Sequence, residues 1–280
     1  MLAIAAVHAP GCGAESASEP TTQPAPPHQL QPYVLIDGQW RAPTACVTDA
    51  TVSLRCQAGD AGTLAVLKTD ATWRARFTAS RPVVVQAVAL RGQLDLPKAT
   101  GWISHGFQSW SMSGTVALGG PVDEATLTKA LTAKADGEVI RKGHELSWAY
   151  TAVGGGGGGT VVAGVTDAAR FRCWTRAWRA APGDAAVQLR LVCGETGEAI
   201  ALKAGEVVAS EPWSISAVAT DERAALRAWG DAVVSRRREF KVKAEAGWNS
   251  WYELWDGVDA ESVLANAAEV TAVVAPYLPK

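Results

Sequence analysis

Long hydrophobic runs are missing from this sequence, and so is a large excess of either charge. No apolar stretch reaches the about eighteen residues that a membrane-spanning helix needs, although 48% of the residues are hydrophobic. The 26 basic and 28 acidic side chains leave a net charge of −2, and the longest run of one sign is the arginine triplet at 236–238. The sequence therefore predicts no transmembrane span, and it argues against nucleic acid or an anionic membrane as the main partner.

Patterns that bind metals or phosphates are also missing. Only His105 and His144 lie outside the N-terminal tail, and no CxxC pair or Cys/His cluster has the spacing of a zinc site. The glycine run at 154–159 contains GxGxxG, but it leads into the strand-like residues 160–163 rather than into a helix. We therefore expect no metal site and no cofactor, and we interpret the glycine run as a hairpin connection.

The first 32 residues differ in composition from the rest of the chain. A short apolar stretch at 2–7 precedes Cys12, and a segment rich in Ala, Ser, Pro, Thr and Gln follows. This order is similar to the end of a bacterial lipoprotein signal, in which Cys12 would carry the lipid anchor and residues 13–32 would form a tether. The alternative is a disordered tail behind a misplaced start codon. An exported lipoprotein, periplasmic or at the cell surface, is one expectation for localisation, and a cytoplasmic protein is the other.

Four cysteines remain once the lipidation candidate is set aside, namely Cys46, Cys56, Cys173 and Cys193. Each neighbouring pair is separated by a length of chain that two adjacent strands and their turn can span. Of the three pairings that four cysteines allow, we prefer Cys46 with Cys56 and Cys173 with Cys193. Two disulfides would suit an exported protein. Four buried thiols in a cytosolic domain are the alternative.

Residues 33–220 have the pattern of many short strands separated by turns, without helical periodicity between them. Regularly spaced strands of this kind are typical of a β-sandwich, here a large one. Examples of the predicted strands are residues 33–40 around an Asp37-Gly38 turn, 51–56, 63–69, 73–78, 83–90, 145–153, 160–165, 187–192 and 213–220.

The spacing of apolar residues changes after residue 220, and a helical linker is predicted at 221–243. Asp221 is a favourable N-cap residue. The apolar residues Leu226, Trp229 and Val233 fall on one stripe of a helix that continues to about residue 239. The linker therefore follows the sandwich directly.

Residues 244–280 have the pattern of one β/α unit. A short strand is predicted at 246–250, and a second amphipathic helix begins at Asp259, which caps it. The apolar stripe of this helix consists of Val263, Ala267, Val270 and Val274.

Two tryptophan-rich motifs carry a family resemblance: Gly-Phe-Gln-Ser-Trp-Ser at 106–111 and Gly-Trp-Asn-Ser-Trp-Tyr at 247–252. With them the sequence resembles the melibiase family of glycoside hydrolases, the α-galactosidases of the bacterial type. In that family a large N-terminal β-sandwich carries the first motif, a helical linker follows, and the second motif lies on the first strand of a (β/α)8 barrel. The resemblance implies a mainly β chain that ends with the first β/α unit of an incomplete TIM barrel.

The same resemblance implies sugar-binding roles for three aromatic residues. Trp110 would reach from the sandwich toward the sugar, and Trp251 and Tyr252 would form part of the wall of that site. An indole can cover the apolar face of a galactosyl ring while polar groups meet its hydroxyls. α-Galactoside sugars are thus the expected partner, and assembly into a homo-oligomer is left open. For Trp102 and Trp248 we expect packing inside the sandwich and the barrel wall.

Members of the family cleave terminal α-galactosides with retention, using one carboxylate as nucleophile and a second as general acid/base. The resemblance implies that both carboxylates lie on later barrel strands, so that no catalytic residue is in this chain. We therefore expect the 280-residue chain by itself to be inactive. Two alternatives stay open: a related activity on the same scaffold, such as an α-N-acetylgalactosaminidase or a transglycosylase, and a non-catalytic carbohydrate-binding β-sandwich lipoprotein.

Overall fold

The computed structural model describes residues 30–48, 53–69, 72–106, 113–120, 146–181, 183–216, 218–236 and 259–274. Within these residues the fold is mainly β, with two antiparallel sheets and two helices. The chain divides into two compact units, Met1–Arg236 and Arg237–Lys280. Neither of the two described helices is long and apolar enough to cross a membrane.

The elements are named in chain order. The strands are β1 (Gln31–Ile36), β2 (Gln39–Arg41), β3 (Thr44–Val47), β4 (Leu54–Gln57), β5 (Gly62–Thr69), β6 (Thr72–Ala79), β7 (Val83–Asp95), β8 (Gly101–Ser104), β9 (Gly114–Ala117), β10 (Ser147–Trp148), β11 (Tyr150–Gly154), β12 (Val161–Val165), β13 (Cys173–Trp178), β14 (Ala186–Gly194), β15 (Ile200–Leu202), β16 (Val207–Ala209) and β17 (Trp213–Ile215). The helices are α1 (Glu222–Arg236) and α2 (Ala260–Val274).

The described strands form one sheet of seven strands and one of ten. In the first sheet the order is β10, β13, β14, β7, β1 and β2, and β15 also pairs with β7. In the second sheet the order is β3, β4, β5, β6, β17, β12, β11, β8 and β9, and β16 also pairs with β6. The named strands pair antiparallel throughout. The two sheets pack face to face, so the predicted sandwich is the observed architecture.

The largest hydrophobic core lies between the two sheets. Strand β6 shows how the sequence builds it, since Ala75 and Phe77 are fully buried while the alternating Arg74 and Arg76 are only half-buried. This is the period of two that a strand needs to bury one face. Burying a large apolar side chain contributes roughly 1.5–3 kcal/mol, so the core is the main source of stability. Other fully buried members are Val34, Leu64, Val66, Val85, Leu90, Leu189 and Leu191.

Most of the predicted strands are confirmed, several with shifted ends. The Asp37-Gly38 turn joins β1 to β2, and both residues have positive φ values, 49° and 75°, as a two-residue hairpin turn requires. The glycine run at 154–159 connects β11 to β12, which confirms its interpretation as a hairpin connection. Trp102 is buried in the core with 3% of its surface exposed, as predicted.

Two predicted strands are wrong in extent. Residues 145–153 were predicted as one strand, but β10 and β11 belong to different sheets. The strand predicted at 213–220 ends at Ile215. The sequence also did not reveal β13, because five of its six residues are buried and the strand has no alternation of apolar and polar residues. A strand that is buried on both faces lacks the signal on which sequence prediction depends.

Helix α1 packs on the ten-stranded sheet. The Oδ1 atom of Asp221 accepts the N–H of Arg223 at 2.9 Å, so Asp221 is the predicted N-cap. Ala225 is buried against Ala152 and Val162 of the sheet. The segment interpreted as a linker therefore contributes an outer layer to the first unit.

Helix α2 belongs to the second unit and begins where the sequence predicted. The Oδ1 atom of Asp259 accepts the N–H of Ser262 at 2.7 Å, and Ser262 Oγ in turn accepts the N–H of Asp259 at 3.2 Å. This reciprocal pair satisfies two amides at the N-terminus of the helix. The strand predicted at 246–250 and Trp248 lie outside the described residues. Of the predicted β/α unit, the structure describes the helix.

Two disulfides join neighbouring strands. Cys46–Cys56 links β3 to β4 and Cys173–Cys193 links β13 to β14, with Cα atoms 4.1 Å apart in both. Cys173 and Cys193 lie directly opposite each other in the antiparallel pairing, a position that brings two Cβ atoms within reach of a disulfide. These are the two pairs that the sequence spacing favoured. Each closes a short loop and stabilises the fold by roughly 2–4 kcal/mol.

Candidate functional site

The first tryptophan-rich motif lies between two paired strands. Strands β8 and β9 are antiparallel with Ser104 opposite Gly114, so residues 105–113, here named the motif segment, join adjacent strand ends. The two ends of the segment are in contact, because the N–H of Gly106 donates to Ser113 Oγ at 2.9 Å. Since β9 is the last strand in the order, the segment is attached at an edge of the ten-stranded sheet.

The residues with implied sugar-binding roles lie outside the described residues. Trp110 is within the motif segment, whose ends are described, whereas Trp251 and Tyr252 fall in a longer stretch that is not described. The proposed lipidation residue, Cys12, also lies outside. The structure therefore describes the frame that holds the ends of the motif segment, and this frame is the candidate site.

Two buried hydroxyl groups hold β8 where it enters the motif segment. Ser104 Oγ donates to the carbonyl oxygen of Leu146 at 2.8 Å, and Thr151 Oγ1 donates to that of Ile103 at 2.7 Å. The backbone pairing of β8 with β11 ends at Trp102. Beyond that residue, the two side-chain hydrogen bonds hold β8 to its neighbours. Each bond contributes about 0.5–1.5 kcal/mol net, and loss of either hydroxyl would remove a hydrogen-bond donor from a backbone carbonyl oxygen.

His105 sets the direction in which the motif segment leaves β8. Its N–H donates to Ser147 Oγ at 2.7 Å, and its carbonyl oxygen accepts the N–H of Trp148 at 2.9 Å. The ring atom Nδ1 lies 3.2 Å from the carbonyl oxygen of Trp148. Because a carbonyl oxygen can only accept, we assign the proton to Nδ1, which makes Nε2 of the neutral ring an acceptor. Three contacts thus fix both the backbone and the ring of His105.

The partners of His105 lie at a corner where the chain passes from one sheet to the other. Ala149, between β10 and β11, has a φ of 64°. Its N–H donates to the carbonyl oxygen of Cys173 in the first sheet at 2.9 Å, and its own carbonyl accepts the N–H of Val165 in the second sheet at 2.8 Å. A left-handed backbone costs a non-glycine residue roughly 1–2 kcal/mol, which the hydrogen bonds on both sides offset. Both sheets therefore support the motif segment.

Three rings connect the motif segment to helix α1. The ring centroids of His105 and Tyr150 are 5.0 Å apart with planes inclined by 37°. Those of Tyr150 and Trp229 are 4.6 Å apart with planes inclined by 27°, a stacked arrangement. Aromatic pairs of this geometry add about 0.5–1.5 kcal/mol beyond the burial of their surface. The frame is therefore continuous from the start of the motif segment to α1.

The frame offers hydroxyl, amide, imidazole and aromatic groups. Among the described residues, no carboxylate hydrogen-bonds to Ser104, His105 or Ser147. In the same part of the chain, no three His, Cys, Asp or Glu side chains are grouped closely enough to hold a metal ion. Such a frame can orient a ligand-binding side chain, but glycoside hydrolysis with retention needs a pair of carboxyl groups.

A second aromatic cluster lies on the seven-stranded sheet. The guanidinium carbon of Arg190 is 4.6 Å from the ring centroid of Trp40 and 5.1 Å from that of Trp174. Its Nη2 atom also lies 3.8 Å from a carboxylate oxygen of Glu195. Trp174 and Arg190 are both buried, so a ligand cannot reach the faces that they share. This cluster stabilises the sheet through cation–π contacts and is not a candidate binding site.

The sequence pointed to the motif but not to the residues that hold it. The sequence singles out His105 only as one of two histidines outside the tail, and its pattern places Ser147 and Tyr150 in a single strand. Trp229 was recognised only as part of the apolar stripe of α1. The bond from His105 to Ser147 joins residues 42 positions apart, and no local pattern indicates such a pair.

Comparison with solved structures finds α-galactosidases among the matches. The α-galactosidase TtGalA from Thermus thermophilus, in complex with p-nitrophenyl α-D-galactopyranoside, is 16% identical with a TM-score of 0.35, over 75% of this chain and 39% of that chain. Its complex with stachyose is 18% identical with a TM-score of 0.35, over 75% and 41%. The galactosidase domain of the α-galactosidase-sucrose kinase AgaSK is 11% identical with a TM-score of 0.39, over 86% and 37%.

This chain thus spans about two fifths of the length of those structures. No family model matches the chain, and no curated protein matches it.

Proposed function

We propose that this chain supplies the N-terminal sandwich and the first β/α unit of an α-galactosidase-like retaining glycoside hydrolase that acts on terminal α-galactosides. The observation that carries the proposal is the frame around the first motif. The segment that contains the motif joins β8 to β9, and its first residue, His105, is connected through Tyr150 to Trp229 of α1. The chain continues from α1 to the second motif at 247–252. One element therefore connects the two motifs that the resemblance assigns to one sugar site.

In this proposal Trp110 covers the apolar face of the terminal galactosyl ring with its indole. A stacking side chain is effective only if its backbone is held, because ordering a loose segment on binding costs free energy. The contacts of His105 with Ser147 and Trp148 supply that support at one end of the motif segment. The bond between Gly106 and Ser113 supplies it across the segment.

Trp251 and Tyr252 form the wall of the same site in this proposal. They follow the strand predicted at 246–250, and barrel enzymes use the residues at the C-terminal ends of their strands. Their aromatic rings would contact the sugar, with its hydroxyl groups left for polar partners.

No residue of this chain is given a catalytic role in the proposal. Retaining hydrolysis uses a nucleophilic carboxylate and a carboxylic acid about 5–5.5 Å apart across the scissile bond. The resemblance assigns both to later strands of the barrel. The 280-residue chain is thus expected to release no nitrophenol from p-nitrophenyl α-galactoside, and steady release by the pure chain would contradict this part of the proposal.

Export from the cytoplasm is part of the proposal. The two disulfides are consistent with an oxidising compartment, since such bonds are rare where thiols are kept reduced. Cys12 is the residue that would carry a lipid. Mass spectrometry of the protein expressed with its own N-terminus tests this assignment, and an unmodified Cys12 in a membrane fraction would contradict it.

Sugar binding by the full chain is the direct test. We expect galactose or melibiose to bind, and Trp110→Ala to weaken binding roughly tenfold, the loss of about 1.4 kcal/mol of stacking. Trp178→Ala is a matched control, since Trp178 is half-buried at the end of β13 and should not affect binding. Calorimetric titration measures the affinities. No binding by the parent chain, or equal effects of the two substitutions, would contradict a sugar contact of Trp110 within this chain.

The same titration separates the enzyme from a carbohydrate-binding sandwich, the second candidate. A closed core and two disulfides within residues 30–216 are compatible with a sandwich that works alone. If the sandwich is the whole site, the double variant Trp251→Ala/Tyr252→Ala binds sugar like the parent while Trp110→Ala does not. If the site is that of the hydrolase, both variants lose affinity.

A further inference from the structure

We infer that Tyr150 is a positioning residue that couples the motif segment to helix α1. The inference deepens the proposed function and rests on it, since it concerns how the start of the segment that carries Trp110 is held against helix α1. It rests on the described stack of His105, Tyr150 and Trp229.

Tyr150 lies between the two elements and contacts both. Its ring is 5.0 Å from the ring of His105, the first residue of the motif segment, and 4.6 Å from the indole of Trp229 on α1. The backbone of Tyr150 is also held in place, because its carbonyl oxygen accepts a 2.5 Å hydrogen bond from Ser147 Oγ. The same Ser147 oxygen accepts the N–H of His105. A movement of Tyr150 would therefore change the support of His105 in two ways.

Strand β12 packs closely against Tyr150 and Trp229. A Cβ atom at Gly164 would overlap the indole of Trp229 and approach Tyr150 Cβ to 2.8 Å. Gly164 is opposite Tyr150 in the antiparallel pairing of β11 with β12. The indole of Trp229 thus lies directly on the backbone of β12, next to the side chain of Tyr150.

Helix α1 is attached on both sides of Trp229. Near its N-terminus Thr160 Oγ1 donates to Glu222 at 3.1 Å, and Ala225 packs on Ala152. At its C-terminal residue, Arg236 Nη2 donates to Thr72 Oγ1 at 3.4 Å. A helix held in this way keeps Trp229 in place against Tyr150. Coupling of two sites requires a physical connection of this kind.

The consequence is that the support of His105 depends on Trp229, although Trp229 does not belong to the motif. Loss of the stack should loosen His105 and change the surroundings of Trp110. It should leave the sandwich core intact, because neither Tyr150 nor Trp229 belongs to the main core cluster.

Fluorine NMR of the full chain labelled with 5-fluorotryptophan tests the coupling without any ligand. Each of the 12 tryptophan resonances is assigned by a Trp→Phe substitution. We expect Trp229→Leu and Tyr150→Leu to shift or broaden the Trp110 resonance. Tyr150→Phe, which keeps the ring, and Trp178→Leu, at the end of β13 in the other sheet, should leave that resonance unchanged.

The core tryptophan Trp102 is the internal control, and its resonance should stay in place in all four variants. Joint movement of the Trp102 and Trp110 resonances would indicate a general disturbance and would overturn a specific coupling. An unchanged Trp110 resonance in both leucine variants would overturn it as well. In the double variant Tyr150→Leu/Trp229→Leu the effect on Trp110 should equal that of either single variant, because one connection is broken in each case.

Sugar affinity provides a second readout that depends on the proposed function. Tyr150→Leu should weaken galactose binding about fivefold or more while Trp110 is retained, and Tyr150→Phe should restore parental affinity. If no variant and not even the parent binds sugar, the proposed sugar contact within this chain fails while the NMR result still decides the coupling. If the parent binds and Tyr150→Leu binds equally well, the coupling fails while the proposed function stands.

Discussion

The indole of Trp229 lies in the space over Gly164 that a side chain at this position would occupy. Gly164→Ala should therefore displace Trp229 and Tyr150 and loosen α1 from β12. We expect a loss of about 1–3 kcal/mol in the free energy of unfolding, the usual cost of overpacking. Urea denaturation of the full chain, followed by circular dichroism, measures the loss.

Gly230→Ala is the matched control for this substitution. Gly230 lies within α1, and the position of its missing Cβ atom has open space around it. Alanine is favoured over glycine in a helix by about 1 kcal/mol, so this variant should be at least as stable as the parent. Equal stabilities of the Gly164→Ala and Gly230→Ala proteins would contradict the packing of Trp229 on β12.

Glu211 is a buried carboxylate whose hydrogen bonds are structural. Its Oε1 atom accepts the N–H of Arg170 at 2.6 Å and that of Phe171 at 2.9 Å. Glu211→Ala removes both acceptors and should cost about 1–3 kcal/mol of unfolding free energy, because a buried amide is left without a partner. Glu211→Gln keeps one oxygen and should lose less. Chemical denaturation of the parent and the two variants measures this order of stabilities. An alanine variant as stable as the parent would contradict the structural role of Glu211.

The two disulfides should differ in their sensitivity to reduction. Cys46 is exposed on β3, whose four residues are all exposed, whereas Cys173 and Cys193 are both buried. Thiol–disulfide exchange requires access of a thiolate to a sulfur atom, so a dithiol reductant should open Cys46–Cys56 first in the folded protein. Quenching with iodoacetamide and peptide mass spectrometry follow the two bonds separately. Equal rates of reduction would show that exposure of Cys46 does not govern its reactivity.

Asp259 makes the start of helix α2 dependent on pH. The backbone N–H of Ser262, and then its side chain, hydrogen-bond to the carboxylate and lower its pKa from the ordinary value of 3.8. Because the pKa is lowered in the folded state, the stabilising effect of the cap is complete above the ordinary value and is lost as the pH falls through the folded value. Hydrogen exchange of the Ser262 amide should therefore accelerate at acidic pH.

Asp259→Asn separates charge from capping in this experiment. Asparagine also accepts the Ser262 N–H, but it does not titrate, so amide protection in this variant should not vary over the same acidic range. A parallel acid-dependent loss in the variant would mean that another group causes it.

Particular elements show how far the sequence could be interpreted. The alternation along β6 and the Asp37-Gly38 turn predict a strand and a hairpin, because each signal lies within a few consecutive residues. The cap residues Asp221 and Asp259 were found for the same reason. Strand β13 was not found, because it is buried on both faces and has no alternation to detect.

The candidate site also combines features that consecutive residues predict with features that they do not. The motif at 106–111 is recognisable from consecutive residues, and its resemblance implies a sugar-binding role for Trp110. The corner at Ala149 was predicted as part of a continuous strand, since alanine carries no signal for a left-handed backbone. Hydrogen bonds to Cys173 and Val165, from both sheets, impose that conformation. Such a constraint exists only once the sheets have formed.

The sequence by itself determined the class of fold, the two helix starts, the hairpin connections and the motif that marks the candidate site. These features depend on side-chain periodicity and on turn and cap chemistry between near neighbours. Only the tertiary structure decided that His105, Tyr150 and Trp229 form one stack between the motif segment and helix α1. Their contact joins β8, β11 and α1, and it depends on strand order and on the absence of a side chain at Gly164. Packing between elements that are far apart in the chain selects such groups, and no local pattern of residues specifies them.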